Sequence, residues 1–226
     1  MFKKLIIAAI SASFLVSAAF ADSTSVGFRI TSGDLSASGQ ETTNLGISSV
    51  TAQTERSASF EMGSIFIEHH VDASDAFGVT VGLDYVPMTA DIATLAGTTG
   101  FNAKISAGNL FTAYVQPTIN LNSTVSVFGK AGISAGDLEL TDFSRQAITD
   151  AANGIASADI AQDKGLTGFV FGIGAQVNRS LGPIDFIRLE ATETKFDRIT
   201  HTNTNGKVLH ADASMELISL SIGKSF

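Results

Sequence analysis

The sequence predicts an all-β protein, an eight-stranded antiparallel transmembrane β-barrel with four long outward loops and short periplasmic turns. Three observations predict this fold class. Apolar and polar residues alternate with period two in eight segments, the connections between the segments are alternately long and short, and an export signal precedes the first segment. Strands of about ten residues joined in this alternating way are typical of barrels that span a membrane.

The first 21 residues predict a secretory signal peptide. Lys3 and Lys4 form a basic start, residues 5–16 form an apolar stretch, and Ala19-Phe20-Ala21 is a small-x-small cleavage site. We therefore predict two parts, a signal peptide over residues 1–21 and an outer-membrane β-barrel domain over residues 22–226.

The composition excludes several classes of function. Removal of the signal peptide takes away two lysines and moves the formal net charge from −8 to −10. Such an acidic exported chain is a poor candidate for binding nucleic acid, because phosphate contacts need clustered Lys and Arg. The absence of cysteine excludes disulfides, thiolate catalysis and cysteine metal sites. We predict no cofactor and no nucleic-acid partner.

The first four predicted strands cover about residues 25–31, 57–71, 77–85 and 111–121. The third is the most regular, because its apolar residues share one parity and Gly, Thr and Asp share the other. The second changes parity midway, which predicts a β-bulge. Pro117 predicts another bulge in the fourth strand, because proline cannot donate a ladder hydrogen bond.

The last four predicted strands cover about residues 125–133, 169–177 and 185–196 and a final segment that ends at Phe226. Each has apolar residues at alternate positions, as Phe169, Phe171 and Ile173 show. Period two over this length predicts a strand with two chemically different faces.

The predicted connections alternate in length. The long ones lie at about residues 32–56, 88–108, 136–165 and 197–210, and the short ones at about 72–75, 120–123 and 179–183. An even number of strands puts both chain ends on the short-turn side, which is the periplasm. The spacing of Ile148 and Ile155 predicts a weak amphipathic helix over residues 147–161 of the longest loop.

The faces opposite the apolar ones carry charges, and this pattern indicates a polar interior with an apolar face toward lipid. The aromatic residues Phe77, Tyr85, Phe111 and Phe226 fall near strand ends, where membrane barrels have aromatic girdles. Eight strands enclose an interior just wide enough for side chains. We therefore predict that ion pairs fill the lumen, drawn from Arg29, Asp84, Lys130, Arg188 and Glu190.

The final strand carries Ile218, Leu220, Ile222 and the terminal Phe226 on one face. With eight strands and four long loops, this ending resembles the small bacterial outer-membrane barrels of the opacity-protein and outer membrane protein X type. The resemblance implies residence in the cell outer membrane and contact with its lipids. It also implies that the four residues act as an assembly signal for the machinery that inserts barrels. Lys224 departs from the pattern, which usually has an apolar residue there.

Candidate chemistry is sparse. His69 and His70, followed by Asp72 and Asp75, could form a metal site, but a strand end with a periplasmic turn is the favoured interpretation. The acidic cluster Asp137, Glu139 and Asp142 lacks the spacing of a calcium loop, so we predict a solvated loop face. Nothing in the sequence orders a Ser, a His and an acid, so we predict no catalytic or metal site and no enzyme.

The predicted function is a structural or surface-interaction role, in which the outward loops serve envelope integrity, adhesion or contact with an extracellular ligand or host surface. One alternative is a narrow pore or small-molecule conduit. A second is a lipid-modifying outer-membrane enzyme, and a third is a soluble periplasmic carrier of the lipocalin kind.

Overall fold

Eight antiparallel strands close into a barrel in the computed structural model, which describes residues 22–44, 49–87, 90–96, 102–144, 162–202 and 208–226. The barrel strands are β1 (Asp22–Asn44), β2 (Ser49–Ser74), β3 (Phe77–Val86), β5 (Asn102–Asn120), β6 (Val125–Ser144), β7 (Gln162–Asn178), β8 (Phe186–Phe196) and β10 (Val208–Ser225). Two short strands, β4 (Ala90–Ala96) and β9 (Ile199–Thr202), pair with β5 and β10. The predicted fold class is therefore confirmed.

The barrel is closed by pairing between its first and last strands. Backbone bonds join Phe226 N to Thr24 O at 2.8 Å and Thr24 N to Phe226 O at 3.2 Å. A path of paired residues that leaves β1 at Ser25 and crosses every barrel strand returns to β1 at Leu35, ten residues further along. This stagger over eight strands corresponds to a strand tilt of about 40°.

The two faces of the wall are the reverse of those in a water-soluble protein. Many large apolar side chains are exposed, among them Phe28, Ile173 and Leu189. The buried side chains include charged residues and many Ser and Thr. Since charged residues are almost never fully buried unless they are paired, the apolar outer face is the one in contact with lipid.

Aromatic residues lie at both edges of the outer apolar face. Phe77 begins β3 and Phe226 follows β10 on the short-turn side. Tyr85 and Phe111 are paired across β3 and β5 on the other side, with ring centroids 4.3 Å apart. From Phe77 to Tyr85, a strand tilted by about 40° rises about 20 Å, close to the height of an outer-membrane apolar band.

The two predicted bulges are wrong. Pairing of β1 with β2 runs without a register shift from Asp22 to Asn44, and the shift between β2 and β3 lies only at Asp72/Ser74. The apparent parity change arises because Met62 lies on the lumen side of β2. The ladder between β5 and β6 skips Gln116 and Pro117, but the register before this gap is the same as the register after it, so there is no bulge.

The strands are longer than their hydrophobic pattern predicts. β6 continues to Ser144 and β7 begins at Gln162, so much of the predicted loop over 136–165 is strand. The alternation of apolar and polar residues ends before the strand does. Outside the membrane neither face of a strand has to be apolar, whereas backbone pairing continues. The predicted helix over 147–161, the signal peptide and the side chains of Glu139 and Asp142 lie outside the described residues. In the described part of the chain, no helix has the length and hydropathy to cross a bilayer.

Candidate functional site: the charged layer and the periplasmic vestibule

The barrel brings the five predicted lumen residues together in one layer. Arg29 Nη1 lies 2.6 Å from Asp84 Oδ2 and 3.6 Å from Glu190 Oε1. Lys130 Nζ donates to Glu190 Oε1 and Oε2 at 2.8 and 3.1 Å. Every one of these side chains is buried. Because the residues come from β1, β3, β6 and β8, the layer joins strands on opposite sides of the barrel.

Arg188, the fifth predicted residue, pairs with a partner that the sequence did not indicate. Its Nη2 and Nη1 donate to the two carboxylate oxygens of Glu68, at 2.5 and 3.0 Å. Tyr114 donates to Glu68 Oε2 at 2.9 Å, and Gln176 Oε1 accepts from Arg188 Nε at 2.9 Å. The charged layer, defined as Arg29, Glu68, Asp84, Lys130, Arg188 and Glu190, therefore holds three cations and three carboxylates.

Glu68 was missed because the predicted bulge in the second strand made its face ambiguous. Continuous pairing puts Ser64, Phe66 and Glu68 on the lumen side and Ile65 and Ile67 on the outside. With the correct register, the alternation of Ile65 and Ile67 with Phe66 and Glu68 would have identified Glu68.

Aromatic rings frame the guanidinium group of Arg188. Its Cζ lies 4.9 Å from the ring centroid of Phe186, 5.3 Å from that of Phe128 and 5.7 Å from that of Phe66. A cation over an aromatic face is attracted by the ring quadrupole, most strongly where water is excluded. Each of these rings packs on the glycine opposite it on a neighbouring strand, where a Cβ atom would collide. Phe186 packs on Gly223, Phe128 on Gly174 and Phe66 on Gly27.

The lumen opens toward the periplasm. On that side lies a cavity of about 580 Å³, here called the vestibule, whose walls carry mainly hydroxyl and amide groups. Its lining includes Ser25, Thr80, Gln116, Thr118 and Arg188. On the outer side of Arg29 and Lys130 the cavity volume falls to about 30 Å³, and Val86, Leu110 and Met215 fill the space.

The histidine pair lies at the vestibule end of β2. His70 Nδ1 lies 2.8 Å from Thr80 Oγ1, and His70 Nε2 lies 3.0 Å from Asp72 Oδ1. His69 Nδ1 lies 3.2 Å from Thr24 Oγ1. Among the described residues, no three His, Asp or Glu side chains are grouped closely enough to hold a metal ion.

Two ion pairs lie outside the membrane band. In the turn before β8, the hydrogen bond from Lys224 lowers the pKa of Asp185. Beyond the outer edge of the band, the hydrogen bond from Arg198 lowers the pKa of Asp212. A lowered pKa means that each pair stabilises the fold above the ordinary pKa of the carboxyl group. That contribution is lost as the pH falls through the lowered value.

The inverted faces, the tilted closed barrel and the paired charges in its lumen define an integral membrane β-barrel of the outer-membrane class. The sequence model of one family, described as "Outer membrane protein beta-barrel domain", matches residues 6–215. The chain belongs to that family, and the protein resides in the cell outer membrane.

Solved structures of several outer-membrane proteins are similar to this chain at low sequence identity. OprG of Pseudomonas aeruginosa is 14% identical, with a TM-score of 0.46 over 91% of this chain and 97% of that one. Ail, the attachment invasion locus protein of Yersinia pestis, is 9% identical, with a TM-score of 0.38 over 89% of this chain and 99% of that one. Neisserial surface protein A is 13% identical, with a TM-score of 0.34 over 86% and 96%. No curated protein matches the sequence.

Proposed function

We propose that the protein contacts an extracellular partner through its outer hairpins, and that the free edge of β2 is the main binding surface. β2 pairs with β1 from Ser49 to Val71 but with β3 only from Ile65 to Ser74. Over residues 49–64, no described strand is hydrogen-bonded to the other edge of β2, although β4 comes close to this edge. An exposed strand edge is a template for pairing with an extended segment of another chain. This edge is the observation that carries the proposal.

The edge projects well beyond the membrane. The β2–β3 ladder ends at the pair Ile65 and Tyr85, and the β7–β8 ladder ends at the pair Gly168 and Phe196. On the outer side of these two points the hydrogen-bonded wall divides into two sheets. One sheet contains β2, β1, β10 and β9, and the other contains β4, β5, β6 and β7. The ten residues of β1 from Leu35 to Asn44 extend about 25 Å, at a rise of about 3.4 Å per residue and a tilt of about 40°.

The chemistry of the partner follows from the edge and from the charge. Main-chain pairing suits an extended polypeptide segment, and the formal net charge of −10 without the predicted signal peptide favours a neutral or basic one. Ail has been solved in complex with the heparin analogue sucrose octasulfate. A polyanion of that kind would be repelled by an acidic chain, so we propose a polypeptide for this protein. The packed charged layer gives no support to the alternative of a conduit.

Shortening the β1–β2 hairpin tests this proposal. Joining Asp34 to Ser59, which are paired, through a two-residue Asn-Gly turn removes most of the free edge and keeps the register below it. We expect cells that display the shortened protein to lose at least about tenfold of their attachment to surfaces coated with basic polypeptides, because the template for pairing is gone. Attachment is measured at equal surface amounts of protein.

The matched control shortens the β6–β7 hairpin beyond the paired residues Leu138 and Lys164. It removes a similar projection from the other sheet and leaves the edge of β2 intact. Attachment that survives the first change and disappears with the control would contradict the assignment of binding to β2.

We also propose that the last strand is the signal that the barrel assembly machinery recognises. The side chains of Ile218, Leu220, Ile222 and Phe226 all face outward, and the backbone of Phe226 completes the closure with β1. Deletion of Phe226 is expected to slow insertion and leave precursor in the periplasm, measured by pulse-chase with protease protection. Lys224→Leu serves as the control. It removes a half-buried ion pair with Asp185 at the periplasmic end of the barrel and should insert at the normal rate, because ion pairs near the surface contribute little. Equal insertion of the deletion variant would refute the signal.

A further inference from the structure

We propose that Thr80, His70 and Asp72 form an acyl-transfer site that opens to the periplasm and hydrolyses small ester substrates. The sequence predicts no enzyme, because nothing along the chain orders a hydroxyl group, a histidine and an acid. The barrel supplies that order through strand pairing. This inference is independent of the proposed surface role, since the two sites lie at opposite ends of the barrel.

The three side chains form a continuous hydrogen-bonded chain. Thr80 Oγ1 lies 2.8 Å from His70 Nδ1, and His70 Nε2 lies 3.0 Å from Asp72 Oδ1. Thr80 and His70 are directly opposite each other on β3 and β2, and Asp72 is two residues further along β2 on the same face. A hydroxyl group, a base within hydrogen-bond reach and a third group that orients the base are the parts of an activated nucleophile.

A glycine fixes the position of the imidazole ring. A Cβ atom at Gly78, which is paired with Asp72, would lie 2.5 Å from His70 Cε1 and 2.7 Å from His70 Nε2. The ring therefore packs directly on the backbone of Gly78. With both ring nitrogens bonded and one face covered, the imidazole is held in a single orientation, as a general base requires.

The vestibule gives the site a place for substrate. Its volume of about 580 Å³ falls within the range of ligand pockets, and Thr80, His70 and Asp72 all line it. The bidentate Arg188–Glu68 pair forms its inner end, so a substrate enters and leaves from the periplasm. Asp75 and Asp185 also line this cavity, which favours neutral or cationic esters over anionic ones.

Gln116 is placed to bind a hydroxyl or N–H group of the substrate. It lies directly opposite Thr80 on β5 and is 2% exposed, and its Oε1 has no hydrogen-bond partner in the described structure. An unpartnered buried amide is costly unless something else satisfies it. Because Oε1 accepts hydrogen bonds, it would take one from a hydroxyl or N–H group of a bound substrate.

The reaction has two balanced steps. Thr80 Oγ1 attacks the carbonyl carbon of the ester while His70 Nδ1 takes the hydroxyl proton, and the alcohol leaves with that proton. Water then gives a proton to His70 and attacks the acyl-threonine. The carboxylic acid is released, and His70 returns the proton to Thr80. Thr80 and His70 act on the substrate, whereas Asp72 is a positioning residue that holds the ring through Nε2.

The test uses the full-chain protein refolded in detergent micelles, with p-nitrophenyl acetate and p-nitrophenyl butyrate as substrates and a fluorophosphonate as the active-site label. We expect turnover above the micelle blank and a covalent adduct on the peptide that contains Thr80. Thr80→Val keeps the side-chain shape and should abolish both. Thr118→Val is the matched control, because Thr118 also lines the vestibule and is buried, but its hydroxyl bonds its own strand at Gln116 O.

Two further variants separate catalysis from folding. Gly78→Ala displaces the ring without removing any of the three groups and should lower turnover at least about a hundredfold, the scale of general-base catalysis. Asp72→Asn should lower turnover and change its pH profile, because the amide holds the ring less firmly in the required tautomer. Wild-type turnover equal to the micelle blank, an adduct elsewhere, or Thr80→Val as active as Thr118→Val would each overturn the proposal.

Discussion

Replacement of Arg188 by leucine is expected to lower the free energy of unfolding by about 3–5 kcal/mol, the cost of removing one partner from a buried ion pair. The substitution leaves Glu68 in the lumen without the two donors that now satisfy its carboxylate. It also empties the space between the rings of Phe66, Phe128 and Phe186. The loss is measured by urea unfolding of the refolded barrel in micelles, followed by circular dichroism.

Two variants give this experiment its controls. Arg198→Leu removes the same side chain from an exposed bidentate pair with Asp212 and should have only a small effect. Combining Glu68→Leu with Arg188→Leu should recover much of the lost stability, because no uncompensated charge is left in the lumen. If Arg188→Leu is no worse than Arg198→Leu, the charged layer does not stabilise the barrel.

The same layer predicts that the intact protein does not conduct ions. Arg29, Lys130 and Glu190 are joined across the lumen, and the space on their outer side falls to about 30 Å³. Planar-bilayer recordings should therefore show no large, stable unit conductance. Its presence would reject the closed lumen and favour the pore alternative.

Replacement of Ile173 by arginine is expected to lower the free energy of unfolding by about 2–4 kcal/mol and to reduce assembly. Ile173 is 71% exposed and lies midway between Phe169 and Val177, the outward residues at the two ends of the apolar segment of β7. A charge at this depth faces the hydrocarbon core, where the guanidinium group loses its water. Unfolding in lipid vesicles measures the change.

Leu181→Arg is the matched control for this prediction. Leu181 is also an exposed apolar residue, but it lies in the short turn between β7 and β8, where Leu181 N donates to Ile184 O. The cost should be small there, because the penalty for a charge falls toward zero near the interface. Equal effects of the two substitutions would mean that Ile173 does not face lipid.

The sequence was informative wherever the membrane imposes a pattern. Lipid on one side and a polar lumen on the other force alternation, so the strands containing Phe77, Phe111 and Phe169 could be predicted, along with their order and the side of the short turns. The parity of the same strands identified Arg29, Asp84, Lys130, Arg188 and Glu190 as lumen residues. These are local properties, since each depends only on which face of its own strand a residue occupies.

Above the membrane the pattern disappears, and the prediction failed there for that reason. Residues 35–44 of β1 and 49–56 of β2 are paired strand, yet their sequence is rich in Gly, Ser, Thr and Gln and predicted a loop. Backbone hydrogen bonds hold these hairpins together, and a backbone bond leaves no trace in the hydropathy of the side chains.

The sequence alone determined the class of fold, the number of barrel strands and which face of each strand is apolar. All three follow from the alternation of apolar and polar residues, which lipid on one side of the wall and a polar lumen on the other require. Only the tertiary structure decided which side chains pair with each other in the lumen. The pairing of Arg188 with Glu68 and the approach of His70 to Thr80 depend on strand register and on the ten-residue stagger of the closed barrel. Register is set by all eight strands together, so a shift of one residue in any of them would send every one of its side chains to the opposite face.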